Sequence, residues 1–155
     1  MVVVARRWTE RPLWQVGLAT ALAAATASVT LYWVALAAGV PMELTEVFED
    51  EYQRMPVLNM AMAALLEGGL AGTVLAAGCR RWARRPRSWF LVLTAVGLAG
   101  SFVLPVASDA TTATKIVLSI GHVVVAAIVV PPLALALPPA NTRHDPVSRR
   151  RPHTP

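Results

Sequence analysis

Residues 13–40 read LWQVGLATALAAATASVTLYWVALAAGV, 28 positions without one acidic or basic side chain. As a helix rising about 1.5 Å per residue, this run reaches about 42 Å. A bilayer's hydrocarbon core is roughly 30 Å thick, so a crossing here brings tilt or protrusion. Pro12 stands just ahead of the run, where a missing N–H costs a helix little. Three further apolar runs follow, at 56–79, 89–106 and 113–137. In the last, Pro131 and Pro132 remove two backbone donors, which predicts a kink or the end of regular helix. Spans of about 20 residues plus connections fill the chain of 155 residues with four crossings and leave no separate soluble domain.

Composition agrees. Hydrophobic residues make up 55% of the chain and charged ones 15%, against about a quarter charged in a soluble domain. The net charge of +5 would suggest nucleic acid in a water-soluble protein. Here the basic residues sit in clusters at the ends of apolar runs, which is a topology signal and not a binding face. Cys79 is the single cysteine, so neither an internal disulfide nor a cysteine-based metal site can be drawn.

The charge clusters set an orientation. Arg6, Arg7 and Arg11 precede the first run, and Arg80, Arg81, Arg84, Arg85 and Arg87 join the second to the third. Arg143, Arg149, Arg150 and Arg151 lie in the tail, leaving Arg54 and Lys115 as the basic residues of the other side. The positive-inside rule places the arginine-bearing ends in the cytoplasm, and an even number of spans demands the same of both termini. The expected fold is therefore all-α, an integral membrane antiparallel four-helix bundle of the cytoplasmic (inner) membrane, N-in and C-in. Residues 1–12 form a cytoplasmic N-terminus and 13–137 the four-span domain. The stretch 138–155, rich in Pro and Arg without apolar periodicity, is expected to be a disordered cytoplasmic tail. Ala25-Thr26-Ala27 mimics a signal-peptidase site, but the apolar run continues well past it, which favours a retained span.

The opposite side is acidic, with Glu43, Glu46, Glu49, Asp50 and Glu51 in the first connection and Asp109 in the last. Leu44, Val47, Phe48, Tyr52 and Met55 fall there at helical spacing, which fits either a short interfacial helix or a solvated loop. Trp8, Trp14, Tyr32, Trp33, Trp82 and Trp89 lie near run ends, as interfacial anchors do.

Lipid supplies no hydrophobic drive between helices, so small residues must allow close packing. Ala64, Gly68, Gly72 and Ala76 recur every four residues in the second run, with Gly17, Ala21 and Ala25 in the first and Gly97 and Ser101 in the third. Such stripes serve contacts within the chain, with a second copy, or with a neighbouring membrane protein.

Ionisable groups at membrane depth are expensive and mark candidate sites. Glu67 lies about 16 Å along its helix from Pro56, and His122 about 14 Å from Ala113, both measured from the acidic side. Ser108, Thr112, Lys115, Ser119 and His122 follow helical spacing as one polar stripe. Glu67, Lys115, Ser119 and His122 thus form a candidate intramembrane polar site, with Asn59 above Glu67. A carboxylate–imidazole pair there can exchange a proton or merely satisfy each other and fix helix register.

The segments Ser101-Phe-Val-Leu-Pro105, Ser108-Asp-Ala-Thr-Thr-Ala-Thr-Lys115 and Gly121-His-Val-Val-Val-Ala-Ala-Ile-Val-Val-Pro131 carry a likeness. The chain resembles a family of small bacterial four-span membrane proteins catalogued as a domain of unknown function, over roughly Trp14 to Leu133. Where that pattern has Met before the histidine, this chain has Gly121. The resemblance implies that Lys115 and His122 are family features, and it carries no reaction. The functional expectation is a non-catalytic accessory or structural membrane component without a cofactor or bound metal. Its partners are the lipid bilayer and a second copy or neighbouring membrane protein, with no nucleic acid. The alternative is a small proton-responsive transporter or sensor subunit using the Glu/His site.

Overall fold

The computed structural model describes residues 11–45 and 52–139. The expectations for the N-terminal segment, the middle of the acidic connection and the tail fall on residues 1–10, 46–51 and 140–155, outside the described residues. Among the described residues, four helices are long and apolar enough to cross a membrane. The first is α1, Leu13–Ala37. The second joins α2, Val57–Ala63, through a π-helical segment, Ala64–Leu70, to α3, Ala71–Trp82. The third is α4, Pro86–Ser101, continued by α5, Val103–Ala107, and the fourth is α6, Thr112–Ala136.

Local chemistry explains where these helices begin and end. Gly39, at φ +83°, closes α1 in a left-handed turn that a side chain would strain. The Val40 N–H donates to the Ala35 carbonyl and the Gly39 N–H to Leu36, each at 3.0 Å, which is the Schellman closure. Pro86 opens α4 at its first position, where its fixed φ suits a helix. The Thr111 hydroxyl caps α6 by accepting the Thr114 N–H at 3.2 Å, satisfying one of the orphan donors. Of the two outcomes expected at Pro131–Pro132, a kink or the end of regular helix, the helix end does not occur: α6 runs through both to Ala136. Val129, just before the pair, and Leu133 and Ala134, just after it, are buried, so packing on either side of the proline pair holds the helix together.

The acidic connection also differs from a helix at both described ends. Glu43–Thr45 (β1) and Tyr52–Arg54 (β2) pair antiparallel, Glu43 opposite Arg54 and Thr45 opposite Tyr52. The Met55 N–H extends the ribbon by donating to the Met42 carbonyl at 2.9 Å. Pro56 favours this for Met55, since the residue before a proline is pushed out of the α region and into extended backbone.

The first span is the most enclosed, touching the whole second span on one side and α6 on the other, while the third touches α3 and α6. A larger core joins Val16, Ala24, Ala64, Ala76, Cys79, Phe90, Val129 and Leu133. A smaller one, nearer the acidic connection, holds Tyr32, Ala35, Met42 and Met60. Tyr32, read above as an interfacial anchor, is only 4% exposed. Its hydroxyl donates to the Met55 carbonyl at 2.8 Å, tying the end of the first span to the start of the second. Trp14, Trp33, Trp82 and Trp89 remain exposed, as lipid-facing anchors must.

Candidate functional site: a polar cleft among the second, third and fourth spans

The π-helical segment Ala64–Leu70 sets up the site. A π turn amounts to one residue inserted into an α-helix, and it shifts every later side chain around the axis. The four-residue stripe read from sequence is divided by it. The buried positions of the second span run Met60, Ala64, Gly69, Ala76 and Cys79, with a five-residue step across the π turn. Gly69, absent from the predicted stripe, lies so close to α1 that a Cβ would meet Ala21, whose Cα is 2.9 Å away. Gly68 instead faces Val125 of α6, and Gly72 faces Val129 and Leu133. Ala64, Gly68 and Gly72 also border the cleft described next, whereas Ala76 is fully buried in the larger core.

On the far side of the second span, the third helix packs chiefly against α3. The gap left between helices is a cavity of about 520 Å³, with Ser28 of the first span also lining it. Its walls are mostly apolar, built by residues such as Leu75, Phe90, Leu98, Val125 and Val129. Polar groups enter from all four helices: Ser28, Asn59, Glu67, Thr94, Ser101 and His122.

Their hydrogen bonds show which atoms are still available to a ligand. Thr94 donates to the Phe90 carbonyl at 2.8 Å and Ser101 to Leu98 at 2.7 Å, so each hydroxyl proton is returned to its own helix. His122 is half-buried, with its Nδ1 2.8 Å from the Leu118 carbonyl. A carbonyl only accepts, so Nδ1 carries a proton and, in the neutral ring, Nε2 is left as an acceptor. The Phe102 ring lies beside the imidazole, 6.3 Å between centroids at a 47° tilt. Glu67 is exposed to the cleft from the π turn. Among the described residues no hydrogen bond or ion pair engages its carboxylate. The cleft therefore presents the Glu67 oxygens and His122 Nε2 as acceptors and the Asn59 amide and Ser28 hydroxyl as donors or acceptors, on largely apolar walls, which suits an apolar body carrying a few polar groups.

Of the four residues read as a polar site, the cleft brings together Glu67 and His122. Lys115 is elsewhere, its Nζ donating to the Val106 carbonyl at 3.1 Å and so tying α6 to the end of the third span. Ser119 is half-buried and does not line the cavity. Helical spacing put these residues in one stripe but does not say which way it faces. Thr94 was missed, although Thr94, Gly97 and Ser101 stand three and four apart on one side of the third span. Cys79 is buried in the larger core.

No curated protein and no solved structure matches this chain. A family model does match, over residues 8–138, which takes in all four spans and every residue of the cleft. The chain is a member of that family of unknown function, DUF6069.

Proposed function

We propose that the protein is a non-catalytic accessory component of the cytoplasmic membrane, folded as an antiparallel four-helix bundle with both ends in the cytoplasm. It works by receiving a helix of a second copy or a neighbouring membrane protein in the cleft among its second, third and fourth spans. One observation carries this reading. Glu67 sits within an apolar span, open to the cleft and without a partner among the described residues. A carboxylate at membrane depth calls for a polar partner, and an inserted helix with a hydroxyl, amide or basic group supplies it. The orientation is supported by the clustering of Arg11, Arg80 and Arg87 about one cavity with Leu135–Pro139, against the acidic connections.

A photo-crosslinking side chain at Leu98, inside the cleft, tests this in native membranes against one at Leu22, exposed on the first span. The Leu98 probe captures a discrete protein band and the Leu22 probe does not. Lipid adducts alone at both positions would sink the proposal.

The second reading, a proton-responsive transporter or sensor subunit, draws on Glu67 and His122 bordering one cavity. A transporter of four spans would need a second copy to alternate access. An environment-sensitive dye on Leu98→Cys, with Cys79 replaced by Ala, then responds to a change of pH. Both His122→Ala and Glu67→Gln remove the response. A signal flat with pH in the unsubstituted site rejects this reading.

A further inference from the structure

A second cavity, of about 760 Å³, lies at the arginine-bearing end of the helices. Three segments far apart in sequence supply its cations: Arg11 before the first span, Arg80 at the end of the second and Arg87 at the start of the third. Leu13, Leu135 and Leu137 form its apolar wall. The helices beginning at Leu13 and Pro86 open at this end, with no side-chain cap and no acid in their first turns, so their unpaired N–H groups add positive potential. Trp14, Trp82 and Trp89, exposed by 63%, 84% and 54%, mark the same end as the level where lipid headgroups begin.

We propose that this cavity binds the phosphodiester of an anionic diacyl phospholipid. Arg80 and Arg87 clamp the phosphate, and the leucine wall receives the start of an acyl chain. Guanidinium groups match phosphate oxygens with paired N–H donors, and basic pockets between spans at the headgroup level take anionic lipids. The apolar wall separates this ligand from a free anion, which would gain nothing from it. The site lies away from the cleft and does not depend on what occupies the cleft.

Native mass spectrometry of the full chain in detergent tests this with added phosphatidylglycerol, phosphatidylcholine or inorganic phosphate. The unsubstituted protein retains phosphatidylglycerol at least tenfold better than phosphatidylcholine. Arg80→Gln with Arg87→Gln loses that preference, while Arg84→Gln with Arg85→Gln, which removes equal charge from exposed positions off the cavity, keeps it. Equal losses in the two double variants would reduce the effect to diffuse charge and overturn the site. Competition by inorganic phosphate at the lipid's own concentration would overturn the lipid assignment. Should the Arg80/Arg87 variant fail to fold, a photoactivatable phosphatidylglycerol on the unsubstituted protein decides. Labelling within 80–87 and 135–139 supports the site, and labelling confined elsewhere refutes it.

Discussion

The second span has two unlike sides. Towards the first span it is closed, with Gly69 against Ala21, Gly17 against Thr73, and Ala64 and Ala76 buried. Towards the third it is open, and Gly97 has no atom within 4 Å of where a Cβ would sit. Both sides are made of small and apolar residues, so composition does not separate them. What separates them is whether another backbone has moved in to use the space. In lipid, where apolar surface alone gives no drive to associate, that contact is the source of stability, and its absence is room for something else.

Substitutions at matched glycines test this contrast most directly. Gly69→Leu forces the first two spans apart, because the Ala21 backbone itself occupies the space a side chain needs. A loss of about 3 kcal/mol is expected, at the upper end for overpacking, read as a lower melting temperature in detergent. Tyr32→Phe removes the hydroxyl that reaches the Met55 carbonyl and leaves that carbonyl unpaired. The expected loss is about 1 kcal/mol, accompanied by faster amide exchange around Met55. Gly97→Ala acts in the other direction, since the open side accepts a methyl and the helix gains about 0.5–1 kcal/mol from a less flexible backbone. A destabilising Gly97→Ala would mean that the open side is already filled in the native membrane, which sharpens the proposal of an inserted helix.

The four helices were legible because charges and prolines bound every apolar run, with Pro12 and Pro56 ahead of two of them and arginines after Cys79. Rise per residue is nearly constant along a helix, which is why Glu67 and His122 could be read at similar distances along their spans, and both line one cavity. Facing direction was not legible. Lys115 and Ser119 share a stripe with His122 in the sequence, yet in a membrane both lipid-facing and inward-facing surfaces are apolar, so periodicity alone cannot tell them apart. Tyr32 shows the same ambiguity, because an aromatic near a span end suits a lipid interface or a buried tie equally well. The proline pair at 131–132 allowed a kink or a helix end, and of these the helix end is excluded because the helix continues to Ala136.

The π turn at Ala64–Leu70 makes the residue count of the second span a rotational setting. Each residue advances an α-helix by about 100°, so straightening this segment into plain α-helix with no residue removed would swing the whole limb from Ala71 onward by that amount. Arg80 would swing away from the basic cavity and Gly72 away from the fourth helix, while Met60 and Asn59 stayed put. The backbone pattern of this one segment therefore phases the two ends of this protein against each other.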